Sequence, residues 1–144
     1  MAARGPPILM SFVLDASITA SWALQDEGHP DADAALFRLR SQPAQVPSLW
    51  WFEVRNALFM CERRRRITEA ETAAFLLDLG FLPISLDRSP DEARILGLAR
   101  THKLTLYDAA YLELSQRASL PLATLDAALR RAAEQVGVAL VLPS

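Results

Sequence analysis

The chain predicts an α/β domain whose central parallel sheet is covered by helices on both faces, and three observations carry that prediction. Short apolar runs of strand length alternate with segments of helical periodicity from residue 12 onward. Such alternation calls for right-handed crossovers, which make the sheet parallel and bury it between helical layers. The 144 residues, 51% hydrophobic and 22% charged, suit one domain with a substantial core.

Taken in order, Phe12-Val13-Leu14 is a short buried strand. Ala16 to Leu24 reads as a helix with Ile18, Trp22 and Ala23 on one side, broken at Glu27-Gly28-His29-Pro30. A helix over Asp31 to Arg40 turns Ala35, Leu36 and Leu39 inward, and Ala44 to Val46 is a brief strand. Pro47-Ser48 opens a long helix to about Arg64, with Ser48 as N-cap and one stripe formed by Leu49, Glu53, Asn56, Ala57 and Met60. The next helix runs from Thr68 to Leu79, followed by a strand over Phe81 to Leu86. Ser89-Pro90-Asp91-Glu92 starts a helix with proline in its first turn, ending at His102. The apolar run Leu104-Thr105-Leu106 ends as a strand would and delivers Asp108 to a helix over Tyr107 to Arg117. Leu122 to Thr124 is a strand, Ala127 to Gln135 the last helix, and Val138 to Leu142 a final strand, for about five short strands. Residues 1–10 read as a tail ahead of a single domain over 11–144, with Met10 as an alternative start; Pro6-Pro7 and the lack of a cleavage site argue against a secretion signal.

A formal charge of −2 excludes nucleic-acid binding by bulk electrostatics, so any such contact needs a local basic patch or a metal ion. The single cysteine, Cys61, excludes an internal disulfide and fits a reducing compartment. No apolar run reaches the roughly 20 residues of a membrane span, and a cytoplasmic location is expected. No Gly-x-Gly-x-x-Gly or Walker A sequence is present.

The chemistry lies in the carboxylates. Asp15 follows the first strand with Ser17 two residues on, Asp108 begins a helix, and Asp126 follows a strand in Thr124-Leu125-Asp126. In open α/β sheets, ligands bind at the carboxyl ends of strands. Several carboxylates gathered there repel one another unless protons or cations intervene. Taken singly, each Asp could instead cap a helix. Glu53 lies within its helix and cannot cap. On an apolar face it costs roughly several kcal/mol unless protonated, metal-bound or paired, for instance with Arg55. Oxygen donors without His or Cys favour Mg²⁺ or Mn²⁺ over zinc. His29, in a turn, and His102, at a helix end, make no acid–base pair. Arg63 to Arg66 reads as a solvated helix terminus or as a grip for phosphate. Adjacent on a helix, Trp50 and Trp51 cannot both be fully buried, and the exposed one suits a partner surface.

Four segments share an order and spacing: Phe12-Val13-Leu14-Asp15-Ala16-Ser17, Phe52-Glu53-Val54-Arg55-Asn56-Ala57-Leu58, Leu104-Thr105-Leu106-Tyr107-Asp108-Ala109-Ala110-Tyr111-Leu112, and Leu122-Ala123-Thr124-Leu125-Asp126-Ala127-Ala128-Leu129. In them the chain resembles PIN-domain ribonucleases, specifically the VapC-type toxins of bacterial toxin–antitoxin pairs. The resemblance implies a three-layer α/β/α fold and a Mg²⁺- or Mn²⁺-dependent endoribonuclease. It implies an acidic quartet of Asp15, Glu53, Asp108 and Asp126 around the metal, with Ser17 and Thr124 orienting the carboxylates or the metal-bound water and Asn56 in support. It further implies a homodimer, a VapB-type antitoxin that places an arginine among the acids, and transfer or ribosomal RNA as substrate. Lys103 departs from the family pattern, standing where glycine is common. The rival readings are a catalytically inactive PIN-like module that binds RNA or protein, and an aspartate phosphotransfer domain. The latter is weakened because Ala16 and Ser17, rather than a second acid, follow Asp15.

Overall fold

Phe12, Val13 and Leu14 are fully excluded from solvent, as befits a strand with helices over both faces. In a computed structural model, which describes residues 11–24, 26 and 28–143, they form β1 (Phe12–Leu14) at the centre of the sheet. Strand β1 pairs in parallel with β2 (Ala44–Pro47) on one side and with β4 (Leu122–Ala123) on the other. Parallel pairing of β2 with β3 (Ile84–Asp87) completes the order β3-β2-β1-β4. The fifth strand expected over Val138 to Leu142 is reduced to one parallel bridge, Leu122 to Leu140. With only two residues in β4, its outer edge offers a single ladder position, filled from both sides by Ala139 O and Val141 N. The tail and the alternative start at Met10 lie outside the described residues.

Helices α1 (Ala16–Ser21), α2 (Pro30–Arg38), α3 (Leu49–Arg63) and α4 (Glu69–Leu79) pack successively, α1 touching both α2 and α3, and α3 touching α4. Helix α6 (Leu106–Ala118) lies across β1, β2 and β4, flanked by α5 (Glu92–His102) and α7 (Ala127–Gln135). The result is the expected three-layer α/β/α arrangement. Residues Ala109 to Ser115 of α6 are all buried, the mark of a helix covered on every side. Glu113 is tolerated there because Arg117 Nε donates to it at 2.6 Å and the Asp91 amide at 3.1 Å, while Arg117 also grips Asp87 at the end of β3. Among the described residues no helix is long and apolar enough to cross a membrane.

Several local expectations are corrected. Helix α3 turns Trp50, Val54, Leu58 and Cys61 inward, so the stripe bearing Glu53 is a flank, with Asn56 exposed. Both stripes have helical spacing, and packing chose the bulkier one; Trp50 Nε1 donates to Thr19 Oγ1 at 3.0 Å. Ser48 occupies the N-cap position without a capping bond. Leu36 of α2 faces outward, leaving Ala32 and Ala35 to pack. Phe81 is exposed in the turn that closes α4, so its strand begins only at Ile84. Asp91 caps α5 by accepting from the Arg94 amide, which leaves Pro90 ahead of the helix.

The largest correction concerns Leu104 to Leu106, which is no strand. Lys103 ends α5 in the left-handed region at φ 55°, and Thr105 caps α6 two residues later by accepting from the Asp108 amide at 3.1 Å. Helices α5 and α6 thus form a hairpin, and Asp108 sits in the first turn of a helix. Glycine would adopt this backbone freely, whereas a side chain in this conformation is disfavoured by roughly 1–2 kcal/mol. Lys103→Gly is expected to raise stability by about 1 kcal/mol. A urea midpoint that is unchanged or lower would contradict this account.

Candidate functional site

Strands β2 and β4 lie on opposite sides of β1, so the strand order reverses there, and the region beyond the carboxyl ends of β1 and β4 is where open α/β sheets have their ligand crevice. Asp15 leaves β1 into this crevice, held to β4 by its amide, which donates to Ala123 O at 2.9 Å. Its carboxylate is buried, with the residue 5% exposed, and Oδ2 accepts from Thr124 Oγ1 at 2.6 Å and Ser17 Oγ at 2.7 Å. Each hydroxyl is oriented in turn by a backbone donor: the Leu125 amide to Ser17 Oγ at 3.1 Å and the Asp126 amide to Thr124 Oγ1 at 3.0 Å. Both hydroxyl protons are thereby directed at Asp15.

The helix-cap alternative resolves differently for each acid. Asp15 occupies the N-cap position of α1 but makes no capping bond, and Thr105 caps for Asp108. Asp126 does cap, with Oδ1 accepting from the Leu129 amide at 2.9 Å. Glu53, half-buried on α3, accepts from the Tyr111 hydroxyl at 2.6 Å rather than from an arginine. Arg55 instead donates to Trp51 O and lies 3.8 Å over the Trp51 ring.

The acids act on one another. Burial raises the Asp15 carboxyl above its ordinary value, Asp126 adds to the rise, and Thr124 and Ser17 oppose it. Burial likewise raises Glu53, opposed by Tyr111 and reinforced by Asp15 and Asp108. Asp108 is pushed up to about 6 by burial and then by Asp126 and Asp15, against the Thr105 hydrogen bond. Tyr111 is raised too, by burial first and then by Asp15 and Glu53, so its hydroxyl keeps its proton.

Asp15, Glu53 and Asp108, each raised in part by neighbouring carboxylates, make with Asp126 a donor set of hard oxygens suited to a hard divalent cation. As the side chains stand, no group of three or more His, Cys, Asp or Glu among the described residues is arranged to hold a metal ion. Asn56 is exposed, and among the described residues no hydrogen bond joins it to the cluster. His102 is bonded through Nδ1 to Gln135. Along the basic run, Arg63 stacks on Phe59, Arg65 turns the chain at φ 58°, and Arg66 lies 3.8 Å from Asp26. Sequence reasoning missed Tyr111 and Thr105. Tyr111 stands three residues after Asp108, on the same side of one helix, and that spacing was the available signal.

This fold and crevice define a class. Residues 12–135 match the family model of the PIN domain, and the chain belongs to that family. It is similar to Ribonuclease VapC3 of Pyrobaculum aerophilum, with 31% identity over 120 residues that cover 81% of this chain and 90% of that protein. The crystal structure of PAE2754 from Pyrobaculum aerophilum shares the fold, with a TM-score of 0.67 and 22% identity over 87% of each chain.

Proposed function

We propose that the protein is a toxin-type endoribonuclease that hydrolyses RNA phosphodiester bonds with Mg²⁺ or Mn²⁺ at the crevice beyond β1 and β4. The observation that carries the reading is Asp15, a buried carboxylate fixed by two oriented hydroxyls and raised in pKa beside three further acids. Similarity to a ribonuclease over most of both chains supports it. Asp15, Glu53 and Asp108 would hold the cation, with Asp126, one oxygen already engaged by α7, at the margin. When bound, such a cation supplies Lewis acidity to the phosphodiester and makes water a better nucleophile. Ser17 and Thr124 fix the Asp15 carboxylate, and Asp108, pushed up to about 6, gives up its proton close to neutrality.

The partner in this reading is a VapB-type antitoxin. Trp51, Phe52 and Phe59 are exposed together on α3, Trp51 and Phe52 meeting edge to face at 4.9 Å, and such an apolar face suits a protein partner. A homodimer and a transfer or ribosomal RNA substrate belong to the same proposal. Purified protein is expected to cut total RNA into discrete fragments with Mg²⁺ or Mn²⁺ and to leave it intact with EDTA, and end-mapping the fragments names the substrate. Cleavage indifferent to EDTA would remove the metal from the proposal. A protein that neither cuts RNA nor binds Mn²⁺ would be the inactive binding module instead.

A further inference from the structure

Tyr111 is fully buried within α6, the largest side chain so enclosed. Phenylalanine would fill that space without bringing a polar group that needs a partner. The tyrosine hydroxyl has one, and it lies on another element: it donates at 2.6 Å to Glu53 Oε1 on α3, 58 positions away in sequence. The charge of Asp15, in the turn where β1 passes into α1, bears on the same hydroxyl and helps to keep it protonated. Its proton is directed at Glu53. Glu53 has no other holder among the described residues, since Arg55 is committed to Trp51.

We infer that Tyr111 is a positioning residue for the cation site: its hydroxyl fixes Glu53 through Oε1 and leaves Oε2, which has no hydrogen-bond partner among the described residues, to act as the ligand. A free glutamate on a helix flank samples several rotamers, and binding a cation would have to freeze them at a cost in side-chain entropy. Tyr111 meets that cost when the protein folds. The inference rests on reading the carboxylates as a cation site.

The test is a double-mutant cycle of Tyr111→Phe and Glu53→Gln, read by Mn²⁺ titration calorimetry and by thermal unfolding in EDTA. Tyr111→Phe is expected to weaken Mn²⁺ binding about tenfold. In the Glu53→Gln background the same substitution is expected to change Mn²⁺ binding no further, whatever it does to the unfolding temperature. Wild-type protein that fails to bind Mn²⁺ would overturn the cation site itself. Wild-type protein that binds Mn²⁺ while Tyr111→Phe binds equally well, or loses as much again without Glu53, would overturn the role of Tyr111 alone.

Discussion

Asp15→Asn is expected to reduce RNA cleavage by about 10²- to 10³-fold while leaving the metal-free protein as stable as before or more so. Asparagine keeps the shape of the side chain and one oxygen able to accept from both Ser17 and Thr124, so the bonds that link β1 to β4 survive. What it removes is a negative charge that burial disfavours and that Asp126 opposes. In the absence of a cation that charge is a liability, and its loss is expected to stabilise the fold by roughly 1 kcal/mol. The two effects point in opposite directions, which separates a functional carboxylate from a structural one. Cleavage assays and urea midpoints in EDTA, run on the same preparation, report both. Undiminished cleavage would take Asp15 out of the site; a marked fall in the midpoint would make its charge part of the framework.

Acidification is expected to inactivate the enzyme more steeply than it unfolds it. Asp108 is pushed up to about 6 from 3.8, so below pH 6 it takes up the proton that the proposed cation would have to displace. Cleavage should then fall about tenfold per pH unit. The contribution of Asp108 to stability runs the other way. Between about pH 4 and 6 the folded protein holds a proton that the unfolded chain has released, so this group favours the fold most below its unfolded pKa, and that advantage is lost as pH rises through 6. Unfolding of wild-type protein and Asp108→Asn in EDTA, compared at pH 5 and pH 7.5, isolates the group: the variant's relative stability should improve at the higher pH. Mg²⁺ at pH 7.5 should restore the wild type and leave the variant little changed. If activity stays flat down to pH 5, Asp108 is not a ligand.

Much of the architecture was legible because the strong signals were local. Three apolar residues in β1 with a polar residue on either side, the Thr68–Glu71 capping box and the Asp126 cap each specify an element without help from distant parts of the chain. The misread segments are those where two local readings were equally good. Leu104 to Leu106 is apolar enough for a strand, but a left-handed Lys103 and the Thr105 cap turn it into the joint of a helical hairpin. In α3 two neighbouring stripes both have helical period, and only the packing of Trp50 against Thr19 decides between them. Of the candidate site, the acids, Ser17 and Thr124 stand out in the sequence because the proposed chemistry restricts them to few residue types. Tyr111 carries only its spacing from Asp108 as a signal, and a tyrosine amid Ala109, Ala110 and Leu112 reads as core until the helix opposite it is known. Asn56 drew attention through its spacing from Glu53, and the same spacing carries it round to solvent.

The bond from Thr124 to Asp15 joins positions 109 residues apart, and it gives the order of synthesis a meaning. A ribosome releases Asp15 among the first residues of the domain and β4 among the last. Until β4 emerges, one edge of β1 stands unpaired and Asp15 has only Ser17 beside it. A nascent chain therefore carries the acids long before it has a crevice to put them in. Termination ahead of Leu122 leaves a fragment with three of the four carboxylates and neither Thr124 nor the strand that would seat them.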